Sequence, residues 1–483
     1  MTDLHIDGQR VTGSGDAFEI IDPATEQLID SVPAASTAQI DDAVAAAGAA
    51  FPAWRSRSQD ERSTMLRSVA SAIRDRSNEL ADALTRETGR ARARNLFYVE
   101  YTARVFDQYA ELARVQGGRV APANEPGQLS LVLRVPYGVV AALVPWNYPL
   151  TLLGFKAAPA LAVGNTLVIK PAPETTLTTL LLADVFTEQL PAGVVNVIAG
   201  GAEVGAGLVE HDGVHLVAFT GSTATGRHIG AACGGLAKPA RLELSGKDPA
   251  IVFPDVNPRD AAVGVAWAAF LNAGQVCTST ERAYVHEDVY EEFTERVVSL
   301  AASLRVGDPF DPKTQIGPMR SERGRRRVLE QLASANDAGA EILVGGEPLA
   351  GPGFFLRPTV VSGVDHEMSL MRDETFGPVL PVVPFSDEDE AFRLAADTYY
   401  GLGASIYTRD PTRVRRAYEE MAVGNVWIND PVVDNLGAPF GGMRGSGDAR
   451  ELGTEALDSF TAPRHVHWNI DLEIKPWWYQ EED

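Results

Sequence analysis

Cys277, one of only two cysteines, stands in a polar segment of small residues, Asn272-Ala273-Gly274-Gln275-Val276-Cys277-Thr278-Ser279. The thiolate is the reactive form of cysteine, and partial exposure at the start of a helix lowers the thiol pKa toward neutrality, so this setting suits a nucleophile. Thr278, Ser279 and Thr280 are expected to begin or cap such a helix. The alternative is an inert buried cysteine, the usual state of a free thiol.

Other segments carry groups that a nucleophile needs. Glu243, in Glu243-Leu244-Ser245-Gly246-Lys247, is a general base if it is sheltered from water, because burial raises a carboxyl pKa; otherwise it is a surface glutamate. Asn147, in Pro145-Trp146-Asn147-Tyr148-Pro149, has a proline on either side to fix the chain, and its amide has the chemistry of an oxyanion donor; otherwise the segment is a structural turn. Phe219-Thr220-Gly221-Ser222-Thr223-Ala224-Thr225-Gly226 follows a strand and opens a helix, which aims free N–H groups and a positive dipole end at a phosphate. By itself this pattern also describes a tight strand-to-helix turn.

Elements with parallel-sheet character position these groups. Val139–Val144, Thr166–Ile169, Val194–Ile198 and Leu216–Phe219 are short apolar runs separated by segments of helical length. That alternation predicts a mostly parallel sheet covered on both faces, with cofactor binding at the carboxyl ends of its strands. A second alternation follows Gly246: a strand at Ala250–Phe253, a helix at Asp260–Leu271 running into the cysteine segment, and strands at Glu341–Val344, Val379–Phe385, Ala404–Thr408 and Gly424–Ile428. Upstream, Leu66, Val69, Ile73, Leu80 and Leu84 keep a helical period, predicting one amphipathic helix from Gln59 to about Leu84 that stops at Gly89. Gly117–Gln128 has no period and reads as a loop leading to a strand at Leu129–Val135. The aromatic tail from Arg464 to Asp483, with Lys475-Pro476-Trp477-Trp478-Tyr479, has the character of a docking segment.

Composition excludes several classes. At 483 residues the chain exceeds what one core supports, so two or three domains are expected. A net charge of -23 argues against nucleic acid or an anionic membrane as partner. Only six lysines accompany 36 arginines, which makes each lysine worth individual inspection. Cys233 and Cys277 form neither a disulfide framework nor a metal cluster, which suits a reducing cytoplasm. No basic-then-apolar leader opens the sequence and no apolar run is long enough to span a bilayer.

Taken together, these segments resemble the aldehyde dehydrogenase superfamily nearly from end to end. Pro145–Pro149, Lys170-Pro171, Gly221–Gly226, Glu243–Lys247, Gly274–Cys277, Glu374-Thr375-Phe376-Gly377-Pro378 and Pro439-Phe440-Gly441-Gly442 occur in the family's order and spacing. The resemblance implies an α/β fold. A Rossmann-type dinucleotide-binding domain would occupy residues 1–117 and 137–245, a catalytic α/β domain 246–445, and a small β oligomerisation arm with its tail 118–136 and 460–483. It implies that Cys277 attacks an aldehyde, that Asn147 and the Cys277 N–H hold the oxyanion, and that Glu243 activates the water that releases a carboxylic acid.

For the cofactor, NAD, the resemblance points to Lys170 at the adenosine ribose, Ser222 near the pyrophosphate, and Glu374 and Phe376 at the nicotinamide ribose and ring. Val144, Pro145, Trp146, Gly205, Phe219, Thr220, Gly221, Thr225 and Leu244 complete the implied contacts. Lys156 and Glu451 match a pair that assists proton traffic behind Glu243, or form a structural salt bridge. Tyr148, Leu152, Phe155, Val276 and Thr278 correspond to the aldehyde tunnel, and Asp430 and Asp434 either meet a cationic substrate or lie in a solvated loop. Two departures stand out. Pro173, with Glu174 one position later, replaces a glutamate common in NAD-preferring members, which leaves room for NADP; Ser245 stands where glycine is frequent. The competing functions are a CoA-acylating dehydrogenase, disfavoured by Glu243, and a non-catalytic binding protein. A homodimer or homotetramer is implied, with the arm adding a strand to a neighbouring subunit.

Overall fold

A computed structural model describes residues 2–475 and 477–479. Its first large sheet has seven strands in the order Ala240–Glu243, Leu216–Thr220, Val139–Val144, Thr166–Pro171, Val195–Val197, Leu4–Ile6 and Gln9–Val11. The first five run parallel and the two N-terminal strands antiparallel. Every residue of Val139–Val144 and Thr166–Pro171 is buried, as strands covered on both faces require. Helices that include Thr37–Ser56, Pro149–Ala162 and Thr176–Gln189 pack around this sheet.

A second seven-stranded sheet is ordered Glu341–Val344, Thr359–Ser362, Val379–Phe385, Thr280–His286, Asp248–Val252, Gly403–Tyr407 and Asn425–Ile428. It separates two apolar clusters. One, around Val285, Phe293, Val297 and Leu332, packs the helices Pro258–Phe270, Glu287–Ser303 and Glu322–Asp337; the other, around Phe253, Tyr284, Phe385 and Phe392, packs Glu388–Ala396 and Pro411–Glu420. A third sheet places Gln128–Pro136 between Arg119–Ala121 and Thr461–Asn469, the last paired over nine residues.

Three expectations are corrected. The span 59–84 is two helices, Gln59–Asp75 and Ser77–Thr88, because Arg76 leaves helical geometry at φ -102, ψ 17. No glycine or proline marks that break, and the apolar period continues across it. Gly89 does end the second helix, at φ 74. The span 117–128 includes the short strand Arg119–Ala121, which pairs with residues 130–132. Cys277 does not begin a helix: it lies between a short 3-10 turn, Leu271–Gly274, and the strand Thr280–His286.

Of the aromatic tail, Trp477 and Tyr479 are exposed, while Pro476 and residues 480–483 fall outside the described residues. Among the described residues no helix is long and apolar enough to cross a membrane.

Candidate active site

The carboxyl ends of the first sheet converge on one edge. Val144 pairs with Pro171, Leu143 with Lys170 and with Phe219, and Thr220 with Glu243. This is where parallel α/β sheets bind ligands. From Thr220 the chain turns into the helix Thr223–Gly235, capped by Ser222, whose hydroxyl accepts from Thr225 N at 3.3 Å. Gly226 permits close packing there, since a Cβ would lie 2.3 Å from Leu244 Cδ2.

A cleft of about 430 Å³ runs from this turn to the second lobe. Trp146, Asn147, Ser222, Cys277, Arg320 and Phe376 are among its walls. The residues fit a dinucleotide: helix N-terminal amides for phosphates, the Glu374 carboxyl for ribose hydroxyls, and apolar rings for the nicotinamide end. Trp146 and Phe376 meet edge-to-face at 5.5 Å. Burial foremost, and then Glu281, pushes the Glu374 carboxyl up to about 7.

Cys277 owes its place to backbone contacts that only glycine allows. Asn272 and Ala273 adopt left-handed φ of 53° and 55°, followed by Gly274 at 71°. A Cβ on Gly274 would lie 2.0 Å from Gly377 O, and one on Gly246 2.3 Å from Cys277 O. The cysteine loop is thus wedged between the Glu374–Gly377 segment and the Glu243–Lys247 segment. Asn147 Nδ2 donates to the Gln275 carbonyl at 3.1 Å, two residues before the thiol.

The expected lowering of the Cys277 pKa is overturned. Burial foremost, then the negative groups Glu243, Asp248, Asp434 and Glu374, hold the thiol well above its usual range. Without a helix N-terminus the segment offers no dipole to offset them. Cys277 is therefore a neutral thiol that needs a base.

Glu243 is buried, and its carboxyl is raised well above the usual range by desolvation first and by Glu451 second, with Lys156 opposing. Its Oε1 rests 3.4 Å from the Gly442 N–H. Gly441 gives it room, since a Cβ there would lie 2.8 Å from that oxygen. Behind Glu243, Lys156 donates to Glu451 and to Thr220 Oγ1, in a pair buried on both sides. Among the described residues, Glu451 Oε2 has no hydrogen-bond partner.

Lys170 stands apart from the thiol chemistry and is not among the charges acting most strongly on Cys277. Its Nζ donates to Pro171 O at 2.9 Å, Gly205 leaves room for its stem, and the Glu174 charge acts on it. Burial lowers it to about 8.

Val276 and Thr278, either side of Cys277 in the chain, are buried, and aromatic rings gather at the helix Pro149–Ala162 and the residue before it. Tyr148 meets Tyr98 edge-to-face at 4.8 Å, and Phe155 meets Tyr101 at 6.2 Å. Leu152 is buried on the same helix. Asp434 is exposed, and desolvation by the protein around its carboxyl, then Glu451, raises it to about 7. Its charge is felt by both Cys277 and Tyr101. Asp430 instead acts on Tyr407.

Tyr98 and Tyr101 stand on the helix Arg92–Leu112, and Arg90 before it lies over the Tyr98 and Tyr148 rings at 4.6 and 4.3 Å; no motif in the sequence marks them, although buried Val99, Val105, Phe106 and Tyr109 give that helix its apolar face. Arg320 and Arg323 were also missed; the Ser321 cap of the following helix was the available signal.

The aldehyde dehydrogenase family model matches residues 11–466. The aminoaldehyde dehydrogenase 2 of Pisum sativum, named peroxisomal, is 39% identical over 475 residues, covering 95% of this chain and 94% of that protein. The phenylacetaldehyde dehydrogenase of Pseudomonas fluorescens is 39% identical over 479 residues, with 95% and 94% covered. The betaine aldehyde dehydrogenase of Staphylococcus aureus, solved with NAD+, superimposes with a TM-score of 0.96 at 32% identity, covering 99% of this chain and 97% of that one. Fold, cleft and relatives agree: this chain belongs to the aldehyde dehydrogenase family and oxidises an aldehyde to the carboxylic acid with NAD(P) as cofactor.

Proposed function

We propose that Cys277 Sγ attacks the aldehyde carbonyl to form a thiohemiacetal, with Glu243 taking the thiol proton. The oxyanion is received by the Asn147 side-chain amide and the Cys277 N–H. NAD, when bound, supplies the hydride acceptor that turns this adduct into a thioester. Glu243 then activates water, and the acid leaves. The observation that carries this reading is the placement of Asn147 and Cys277 on one cleft wall, tied through the Gln275 carbonyl, with the buried Glu243 close enough for its charge to act on the thiol. From its rest against Gly442, the Glu243 side chain rotates toward Cys277 to act. Lys156, Thr220 and Glu451 pass its proton onward.

Glu174 takes over the ribose-hydroxyl role that Pro173 cannot perform, which keeps NAD preferred and NADP tolerated. Its position on the cleft wall, electrostatically coupled to Lys170 and Arg320, supports this. For the substrate we favour an aldehyde bearing an amino or trimethylammonio group. The Asp434 carboxyl, whose charge acts on both Cys277 and Tyr101, suits a cation.

The exposed Leu133, Val120, Trp468 and Ile470 on and beside the three-stranded sheet support a homodimer or homotetramer. The two free thiols support a reducing cytoplasm. The test is reduced-cofactor absorbance with cationic, aromatic and aliphatic aldehydes, with and without CoA. Preference for the cationic panel without CoA is expected. Strict CoA dependence sinks the hydrolytic reading, and indifference to substrate charge sinks the role of Asp434.

A further inference from the structure

A second buried ion pair lies behind the cofactor cleft. Lys247 Nζ and Glu281 Oε2 are 2.6 Å apart, with side chains 0% and 3% exposed. Buried pairs of this kind are weak sources of stability, so their value is sought in geometry. Glu281 Oε2 also accepts the Thr375 N–H at 2.8 Å, and its Oε1 accepts the Phe376 N–H at 2.9 Å. Lys247 Nζ donates further to Thr375 Oγ1 at 3.1 Å. One carboxylate thus holds two consecutive amides of the turn that presents Glu374 and Phe376 to the cleft.

That turn needs holding. Phe376 adopts φ 52, a left-handed conformation that costs a bulky side chain energy and persists only where neighbours enforce it. The turn is tied on its other side where Glu374 Oε1 accepts the Gly246 N–H at 3.2 Å, next to Lys247 in the chain. Glu281 itself stands in the strand Thr280–His286, four residues beyond Cys277, so one short stretch carries both the nucleophile and the support of the cofactor wall.

We propose that Glu281 is a positioning residue for hydride transfer: its carboxylate fixes the Thr375 and Phe376 amides and so sets the Phe376 ring and the Glu374 carboxyl against the nicotinamide end of the cofactor. The proposal rests on the assignment of Glu374 and Phe376 to that end. The Lys247 ammonium is the buried counter-charge of that carboxylate.

The test compares two double variants of the full-length enzyme. Lys247→Met with Glu281→Met removes both acceptors without leaving a lone buried charge, and Lys247→Met with Glu281→Gln keeps one acceptor. Readouts are the KM for NAD, the isotope effect on kcat with the aldehyde deuterated at C1, and alkylation of Cys277 by iodoacetamide without cofactor. The Met pair is expected to raise the KM for NAD about tenfold and to make hydride transfer rate-limiting, with alkylation unchanged. The Gln pair should fall between it and the parent. A Met pair with parental KM and isotope effect overturns the proposal, as does a parallel loss of alkylation, which marks general collapse of the site. If the Met pair does not fold, Glu281→Gln alone decides by the same readouts. Glu374→Gln separates the two levels: a parental KM for NAD there overturns the nicotinamide assignment itself.

Discussion

Asn147 Nδ2 donates to the Gln275 carbonyl at 3.1 Å, which ties the amide of the first lobe to the cysteine loop of the second. One amide hydrogen is committed to that carbonyl, and the other remains for a developing oxyanion. Asn147→Ala is expected to lower kcat by about 10²–10³ with cofactor affinity retained, the usual effect of removing one such donor. Steady-state kinetics with NAD titration checks this. An unchanged kcat refutes the role.

The raised Cys277 pKa has a direct signature. Burial and the surrounding carboxylates disfavour the thiolate, so cofactor-free alkylation should be slow at neutral pH and climb through the alkaline range. A plateau reached below pH 7 would show an activated thiolate instead. Iodoacetamide kinetics between about pH 6 and 10 resolve the two.

Lys156 and Glu451 form an ion pair buried on both sides. Lys156→Met leaves a carboxylate unpaired and is expected to cost about 3–5 kcal/mol, whereas Lys156→Met with Glu451→Leu should recover most of that. Lys156 also lowers the Glu243 carboxyl, so its loss moves Glu243 further up. The base must be ionised to act, so the rising limb of the pH–rate profile shifts to higher pH in any Lys156→Met enzyme that folds. Denaturant melts and the pH profile measure both effects.

How legible all this was depends on what sets each element. Val139–Val144 and Thr166–Pro171 could be read because a strand buried on both faces must be a continuous apolar run. The helix start in Phe219–Gly226 and the Gly89 stop carry local chemistry, so they too were visible. The geometry at Cys277 was not, because the left-handed Asn272 and Ala273 are imposed by Gly274 packing against Gly377, a contact more than a hundred residues away in sequence. For the same reason the sign of the thiol shift was misread: it depends first on burial and then on Glu243, Asp248, Asp434 and Glu374, an environment that only the folded chain assembles. Arg320 escaped notice because arginine reads as surface, yet it is buried against Glu174, Glu87 and Asp22.

The central claim is a covalent intermediate on Cys277 resolved by Glu243. Glu243→Gln, mixed with aldehyde and NAD, tests it by rapid-mixing absorbance and intact-protein mass spectrometry. The account predicts a slowed build-up of about one equivalent of reduced cofactor per subunit, still slower turnover afterward, and an acyl mass on the Cys277 peptide. Turnover at the parental rate with no acyl mass on Cys277 would contradict it.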